Sequence, residues 1–223
     1  MVKKEVKEKV EKKIKIPKER KLEKEILWII GFFGFLVILF LVASSFFKSL
    51  NQIEHDGITF NKERLGEIPV YHYSYYFENR GNLIKYNMYL RNDPRYLNFS
   101  VEGDEIIFDR GKAVYVSLDP DGLQECEQGV LAIADLSSFL TDNQFTVESA
   151  NPDFWDAGRN RQDWITCENK ADRIVIEIRE GNETRIDVEN NCIQISIANC
   201  QILEAIERFK VQSIIDARDY KFD

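Results

Sequence analysis

Apolar residues are distributed along this chain in three successive patterns. In residues 1–25 an apolar residue returns every fourth position, at Val2, Val6, Val10 and Ile14, within an otherwise charged segment. Residues 26–47, ILWIIGFFGFLVILFLVASSFF, are 22 positions without a charge. From Ile58 onward apolar and polar positions first alternate with a period of two, and after Cys126 they return at helical spacing.

The uncharged stretch predicts a helix of about 33 Å, enough for a hydrocarbon core of about 30 Å. A buried core helix would show a polar face, and this stretch has none. A cleavable signal peptide is the rival reading, with Val42-Ala43-Ser44 as its small-residue site. Against it, the basic region ahead is long and the apolar run exceeds the usual length of roughly 7–15 residues. An uncleaved signal-anchor is therefore expected, with Trp28 at the headgroup level. Gly31 and Gly34 stand three apart rather than at GxxxG spacing, so the span does not specify a dimer.

In the tail, Glu5/Lys9, Glu8/Lys12 and Glu11/Lys15 favour a helix. It reads either as a basic amphipathic helix on the anionic inner leaflet or as a solvated tail, since so short a helix is marginal alone. Residues 48–57 read as a connector that prolongs the helix to Asp56, with Gly57 ending it.

Period-two alternation then predicts strands. Ile58–Phe60 is short. Val70–Phe77 and Leu83–Arg91 flank a loop at 78–82 as a hairpin. Tyr71, Tyr73 and Tyr75 share one face of the first strand, opposite His72, Ser74 and Tyr76. In the second, Ile84, Tyr86, Met88 and Leu90 oppose Lys85, Asn87, Tyr89 and Arg91. Such alternation means one covered and one wet face. Further strands are expected at Leu97–Val101, Glu105–Phe108 and Ala113–Leu118, so residues 58–122 read as an antiparallel β region. Residues 123–223 read as a disulfide-linked α+β region. It holds a helix with Val130, Ile133, Ala134, Ser137 and Leu140 on one face, stopped at Asp142-Asn143, and a strand at Phe145–Ala150. An irregular segment at 153–163 is anchored by Phe154 and Trp155, and a short strand follows at Trp164–Cys167. A hairpin of Arg173–Arg179 with Thr184–Val188 precedes a third strand at Cys192–Ala198. The closing helix runs over Cys200–Ala217, capped by Asn199, with Ile202, Ile206, Phe209 and Ser213 on its inner face. The class is α+β.

Charge adds direction. Residues 1–25 carry net +5 and residues 48–223 net −13, which together make the −8 of the chain. Basic residues stay on the cytoplasmic side, so the amino terminus is expected inside and the long part outside the cell. An acidic exterior part also argues against nucleic acid as a partner. The lipid bilayer and a protein of unstated identity are the expected partners.

The four cysteines, Cys126, Cys167, Cys192 and Cys200, all lie beyond the span. Their even number fits two disulfides in an oxidising space. Cys192–Cys200 is disfavoured because a strand between them would hold the ends about 26 Å apart, far beyond the roughly 7 Å that a disulfide spans. Of the two remaining connectivities, Cys167–Cys192 with Cys126–Cys200 is preferred. The first pair would lie at the open end of the second hairpin, and the second would join the starts of two helices.

Candidate chemistry is sparse. His55 and His72 lie in no HExxH and read as structural or surface residues. Ser45-Phe46-Phe47-Lys48 fits SxxK by letters only, at the membrane edge. Asp119-Pro120-Asp121-Gly122 lacks the remaining ligands of a calcium loop and reads as a turn. No cofactor, metal or catalytic residue is expected. Asn98-Phe99-Ser100 and Asn182-Glu183-Thr184 are glycosylation sequons. Tyr71, Tyr73 and Tyr75 are a candidate binding face, since Tyr supplies rigid contact area.

Two segments, Tyr86–Arg95 (YNMYLRNDPR) and Gly181–Phe209 (GNETRIDVENNCIQISIANCQILEAIERF), resemble an uncharacterised group of archaeal single-span membrane proteins. The resemblance implies a membrane location and an archaeal source, and no activity. The expected function is a membrane-anchored exterior binding or structural module of the cell envelope. An accessory subunit of a membrane-embedded secretion or surface-appendage complex is the alternative, and an envelope hydrolase the weaker third, for want of a nucleophile–base pair.

Overall fold

The computed structural model describes residues 19–79, 81–109, 111–169 and 173–219. They fall into two compact units, Met1–Asn51 and Gln52–Asp223. The apolar pattern from Val2 to Ile14 lies outside the described residues.

The first unit is a single helix, α1 (Glu19–Leu50). Its Lys24–Phe47 stretch has a mean hydropathy of 2.9 and no buried position, so its length and composition suit a membrane span. The predicted continuation to Asp56 does not form. β1 (Gln52–His55) and β2 (Ile58–Leu65) make a hairpin instead. Asp56 and Gly57 turn it with φ of 48° and 71°, the left-handed pair that a two-residue hairpin loop requires.

β3 (Ile68–Asn79) and β4 (Asn82–Leu90) complete a four-stranded antiparallel meander in the order β1-β2-β3-β4. Tyr71 pairs with Leu90, Tyr73 with Met88 and Tyr75 with Tyr86, so the predicted face assignment holds, but the strands run on to Asn79 and Asn82 and the loop is shorter than the expected 78–82. Arg80, at the loop, lies outside the described residues.

The other strands form one seven-stranded mixed sheet. They are β5 (Ser100–Gly103), β6 (Ala113–Leu118), β7 (Thr146–Asn151), β8 (Asp163–Trp164), β9 (Ile174–Glu180), β10 (Arg185–Glu189) and β11 (Cys192–Ile197), in the order β5-β10-β11-β9-β6-β7-β8. β11, β9, β6, β7 and β8 run parallel, while β10 and β5 run the other way. The 58–122 region is therefore not one antiparallel sheet. β5 and β6 leave it for the large sheet, and Glu105–Phe108 is not a strand.

The second hairpin is also redrawn. β11 inserts between β9 and β10, and the hairpin is β10–β11, turning at Asn190 with φ 53°. Ile174–Ile178 is buried at every position. A strand covered on both faces reads as a continuous apolar run and belongs in the middle of a sheet, whereas β10 and β11 alternate between buried and half-buried positions.

Two longer helices lie between the sheets. The short α2 (Pro120–Leu123) follows β6, and α3 (Gly129–Asp142) joins β6 to β7. α4 (Phe154–Asn160) replaces the irregular segment expected between β7 and β8, and β8 stops at Trp164 rather than running to Cys167. α5 (Ile202–Asp219) closes the chain. The face of α3 differs from expectation: Ala132, Leu136, Phe139 and Leu140 are buried, whereas Val130 is exposed. Ile58, Phe60, Met88 and Leu90 of the small sheet share one core with Phe139, Phe209 and the inner residues of β6, β9, β10 and β11.

α5 is covered nearly all round. Besides Ile202, Ile206, Phe209 and Ser213 it buries Glu207, Lys210 and Asp216. Each charge has partners. Glu207 accepts from the backbone N–H of Arg91 (2.5 Å) and Asn92 (3.1 Å) and from Asn92 Nδ2 (2.9 Å). Lys210 Nζ donates to Asp135 at 2.7 Å. Asp216 accepts from Ile106 N at 2.8 Å and Gln212 Nε2 at 2.6 Å. The helix starts at Ile202, after Asn199 and Cys200, both with positive φ, so Asn199 turns the chain and does not cap the helix.

Disulfides join Cys126 to Cys200 and Cys167 to Cys192, with Cα atoms 5.2 and 5.4 Å apart. This is the preferred pairing. The first bond ties the approaches to α3 and α5. The second forms for a different reason from the one expected. Cys192 opens β11, parallel to and beside the start of β9, where the chain arrives from Cys167.

Candidate functional site

The tyrosines proposed as a binding face are core residues. Tyr71 is buried, and Tyr73 and Tyr75 pack against the main core. Tyr75 Oη donates to Asn143 Oδ1 at 2.5 Å, beyond the end of α3, and burial raises its pKa and that of Tyr86. The opposite face is the wet one. There His72 stacks on Tyr89 with ring centroids 4.7 Å apart. Its Nδ1 meets Glu63 at 2.9 Å and its Nε2 meets Asn87 Oδ1 at 3.2 Å. With both ring nitrogens engaged, His72 reads as structural. His55 stands 3.3 Å from Asp56, which also faces Arg208.

A second feature is an open cleft of about 890 Å³ on the outer face of the large sheet. The chain after β8 crosses part of that face: Ser117 Oγ donates to Ile165 O at 2.5 Å, and Cys167 N to Glu177 Oε2 at 3.0 Å. On the same face β11 and β10 present mostly half-buried positions and β5 exposed ones, and Cys167 and Cys192 both line the cleft. Glu102, Glu168, Asp187 and Glu189 line the cleft against Arg173, and Asp187 is already paired with Arg185 at 2.9 Å. Among the described residues no group of three or more His, Cys, Asp or Glu is placed to hold a metal.

The most distinctive surface is at the other edge of the large sheet. Phe154, Trp155 and Trp164 are 56%, 74% and 46% exposed, and Phe154 stands edge-on to both tryptophans with centroids 5.3 Å apart. A scattered surface Leu needs no explanation, but contiguous large aromatics rimmed by charge mark an interaction surface.

The local build explains their position. Asp153 Oδ1 caps α4 by accepting from Trp155 N (2.8 Å) and Asp156 N (3.0 Å), which turns the first helical residues outward. Trp164 Nε1 donates to Pro152 O at 3.2 Å. Among the described residues β8 pairs only with β7, so Trp164 stands on a strand edge. Arg159, paired with Asp156, together with Arg161 and Asp163 forms a charged rim. Phe154 and Trp155 are thus surface residues, not the core anchors expected. The legible signal was Asp153, a good N-cap three residues before Asp156.

No family model, curated protein or solved structure matches the chain.

Proposed function

We propose that the chain is a single-span, membrane-anchored module whose residues 48–223 lie outside the cell and bind a partner protein through Phe154, Trp155 and Trp164. The exposed aromatic cluster carries this reading. Tryptophan is enriched among the few residues that dominate protein interfaces, and such anchors sit inside a polar rim like that of Arg159, Arg161 and Asp163. The apolar α1, the basic tail and two disulfides beyond the span support the exterior placement,. The resemblance to archaeal single-span proteins supports an envelope location. The reading is non-enzymatic, since no motif pairs a nucleophile with a base.

Three outcomes are expected. Protease added to intact cells removes residues 48–223 and spares the tail; a protected domain of that size reverses the orientation. A photo-crosslinking residue at position 155 in whole membranes gives a discrete adduct, and one at Tyr76, exposed on the small sheet, does not. Trp155→Ala and Trp164→Ala should each weaken the captured complex by about 30-fold, roughly 2 kcal/mol at an interface anchor. The unfolding midpoint should stay close to the parent's for Trp155→Ala, whose side chain is 74% exposed, and should fall modestly for Trp164→Ala, which also loses the hydrogen bond to Pro152 O and the Phe154 contact. Equal crosslinking at both positions would remove the aromatic edge as the site.

A further inference from the structure

The two sequons take no part in the aromatic edge, and the fold brings them to one corner. β5 and β10 are parallel, with Ser100 opposite Arg185. Asn98 therefore enters β5 two residues before the ladder, and Asn182 enters β10 three residues before it, from the same end of the sheet. Both asparagines are exposed and lie in irregular segments. No hydrogen bond ties either side-chain amide to another described residue.

β5 is also one of the two edge strands of the large sheet, a row of unpaired backbone groups of the kind that proteins cover or blunt. It cannot be shielded by bulk at its far end. Gly103 has φ +99°, and a Cβ there would stand 2.0 Å from Val188 O. Sequons arise by chance without regard to the fold. Here two exposed ones fall on adjacent strand ends at the β5 edge.

We propose that Asn98 and Asn182 are both N-glycosylated, receiving oligosaccharide from a polyisoprenyl-phosphate carrier in the exterior compartment. In each transfer Nδ2 attacks the anomeric carbon and an N–C bond forms. The bond from that carbon to the carrier's phosphate oxygen breaks, the phosphate leaves with the electron pair, and one amide proton passes to solvent. Nothing is oxidised or reduced. Ser100 and Thr184 supply the hydroxyls that define the acceptor sequence; because the folded unit ties Thr184 Oγ1 to Ala198 and Gln201, transfer to Asn182 precedes the closing of that contact. The glycans stand at the β5–β10 corner, at the end of those strands away from the Asn190 turn and its cleft. The β8 edge, at the opposite side of the sheet, stays open for a partner.

The proposal rests on the exterior placement of residues 48–223, and its test separates the two. The full chain, extended after Asp223 by one added sequon, is translated into microsomes that carry an oligosaccharyl transferase. Three mobility steps are expected, all removed by an N-glycan amidase. Asn98→Gln and Asn182→Gln each delete one step. Ser100→Ala deletes the same step as Asn98→Gln, and Ser100→Thr keeps it. Modification of the added sequon alone, or of only one native site, overturns the proposal while leaving the placement intact. No step at all overturns both.

Discussion

Replacing Cys126 and Cys200 together by serine should lower the unfolding free energy of the second unit by about 4 kcal/mol. The bond closes a separation of 74 residues. Cross-linking a loop of that size removes denatured-state entropy worth roughly 4.5 kcal/mol at 25 °C in the chain-entropy model, an upper guide because denatured chains retain structure. For a unit of this size the loss corresponds to a fall in Tm of roughly 8–16 °C. Cys167–Cys192, with a separation of 25, should contribute about 3.5 kcal/mol on the same scale. Denaturant unfolding of the two double-serine variants against the parent checks both the size and the order. A Cys126/Cys200 variant within 1 kcal/mol of the parent would show that packing alone holds the starts of α3 and α5 together. Non-reducing peptide mapping that joined Cys192 to Cys200 would contradict β11 itself.

The second large effect is a stability that falls as pH rises. Burial pushes the Glu207 carboxyl up from 4.5 to about 7, against the opposing pull of Arg91 N, Asn92 and Lys210. The folded state therefore keeps this proton over a range in which the unfolded state has lost it. With more protons bound when folded, stability decreases with pH. The favourable contribution is complete below about pH 4.5, is lost between about 4.5 and 7, and is level above that. At 1.36 kcal/mol per pH unit the total is about 3 kcal/mol. Glu207→Gln cannot titrate and should lose this slope. It should also be somewhat less stable at low pH, where one carboxyl oxygen is exchanged for an amide N–H facing backbone donors. Urea midpoints of parent and variant between pH 4.5 and 7.5 decide it; equal slopes would assign the titration to another group. The neighbouring Lys210–Asp135 pair is common to both proteins, so the difference isolates Glu207.

Glu207 also shows where reading the chain by pattern runs out. α5 has Ile202, Ile206, Phe209 and Ser213 at helical spacing, and that stripe lies inside as expected. Nothing in a one-dimensional pattern says that Glu207, Lys210 and Asp216 are inside too. Charged residues at helical spacing read as a solvated face, because a charge is buried only when partners meet it. Here the partners are Asn92, Asp135 and the backbone at Arg91 and Ile106, each at least 75 residues away along the chain. The aromatic edge failed in the opposite sense. Phe154 and Trp155 read as anchors by composition, and only the position of α4 at the sheet margin leaves them exposed.

What pattern and composition determined were the properties that follow from local physics. The apolar α1 helix, the α+β class, the two faces of β3 and β4 and the stop of α3 at Asp142 depend on periodicities and turn residues within a few positions. The disulfide partners were legible in part: the strand after Cys192 excluded Cys192–Cys200, while the preference between the two remaining connectivities rested on a hairpin that the structure redraws,. Strand order, by contrast, was decided only by tertiary structure. Period two specifies which side chains share a face but not which strand lies beside which. β11 entered between β9 and β10, and β5 and β6 left the meander for the large sheet, through pairings between segments far apart in the chain. The cleft, the aromatic edge and the meeting of Asn98 with Asn182 are all consequences of that order.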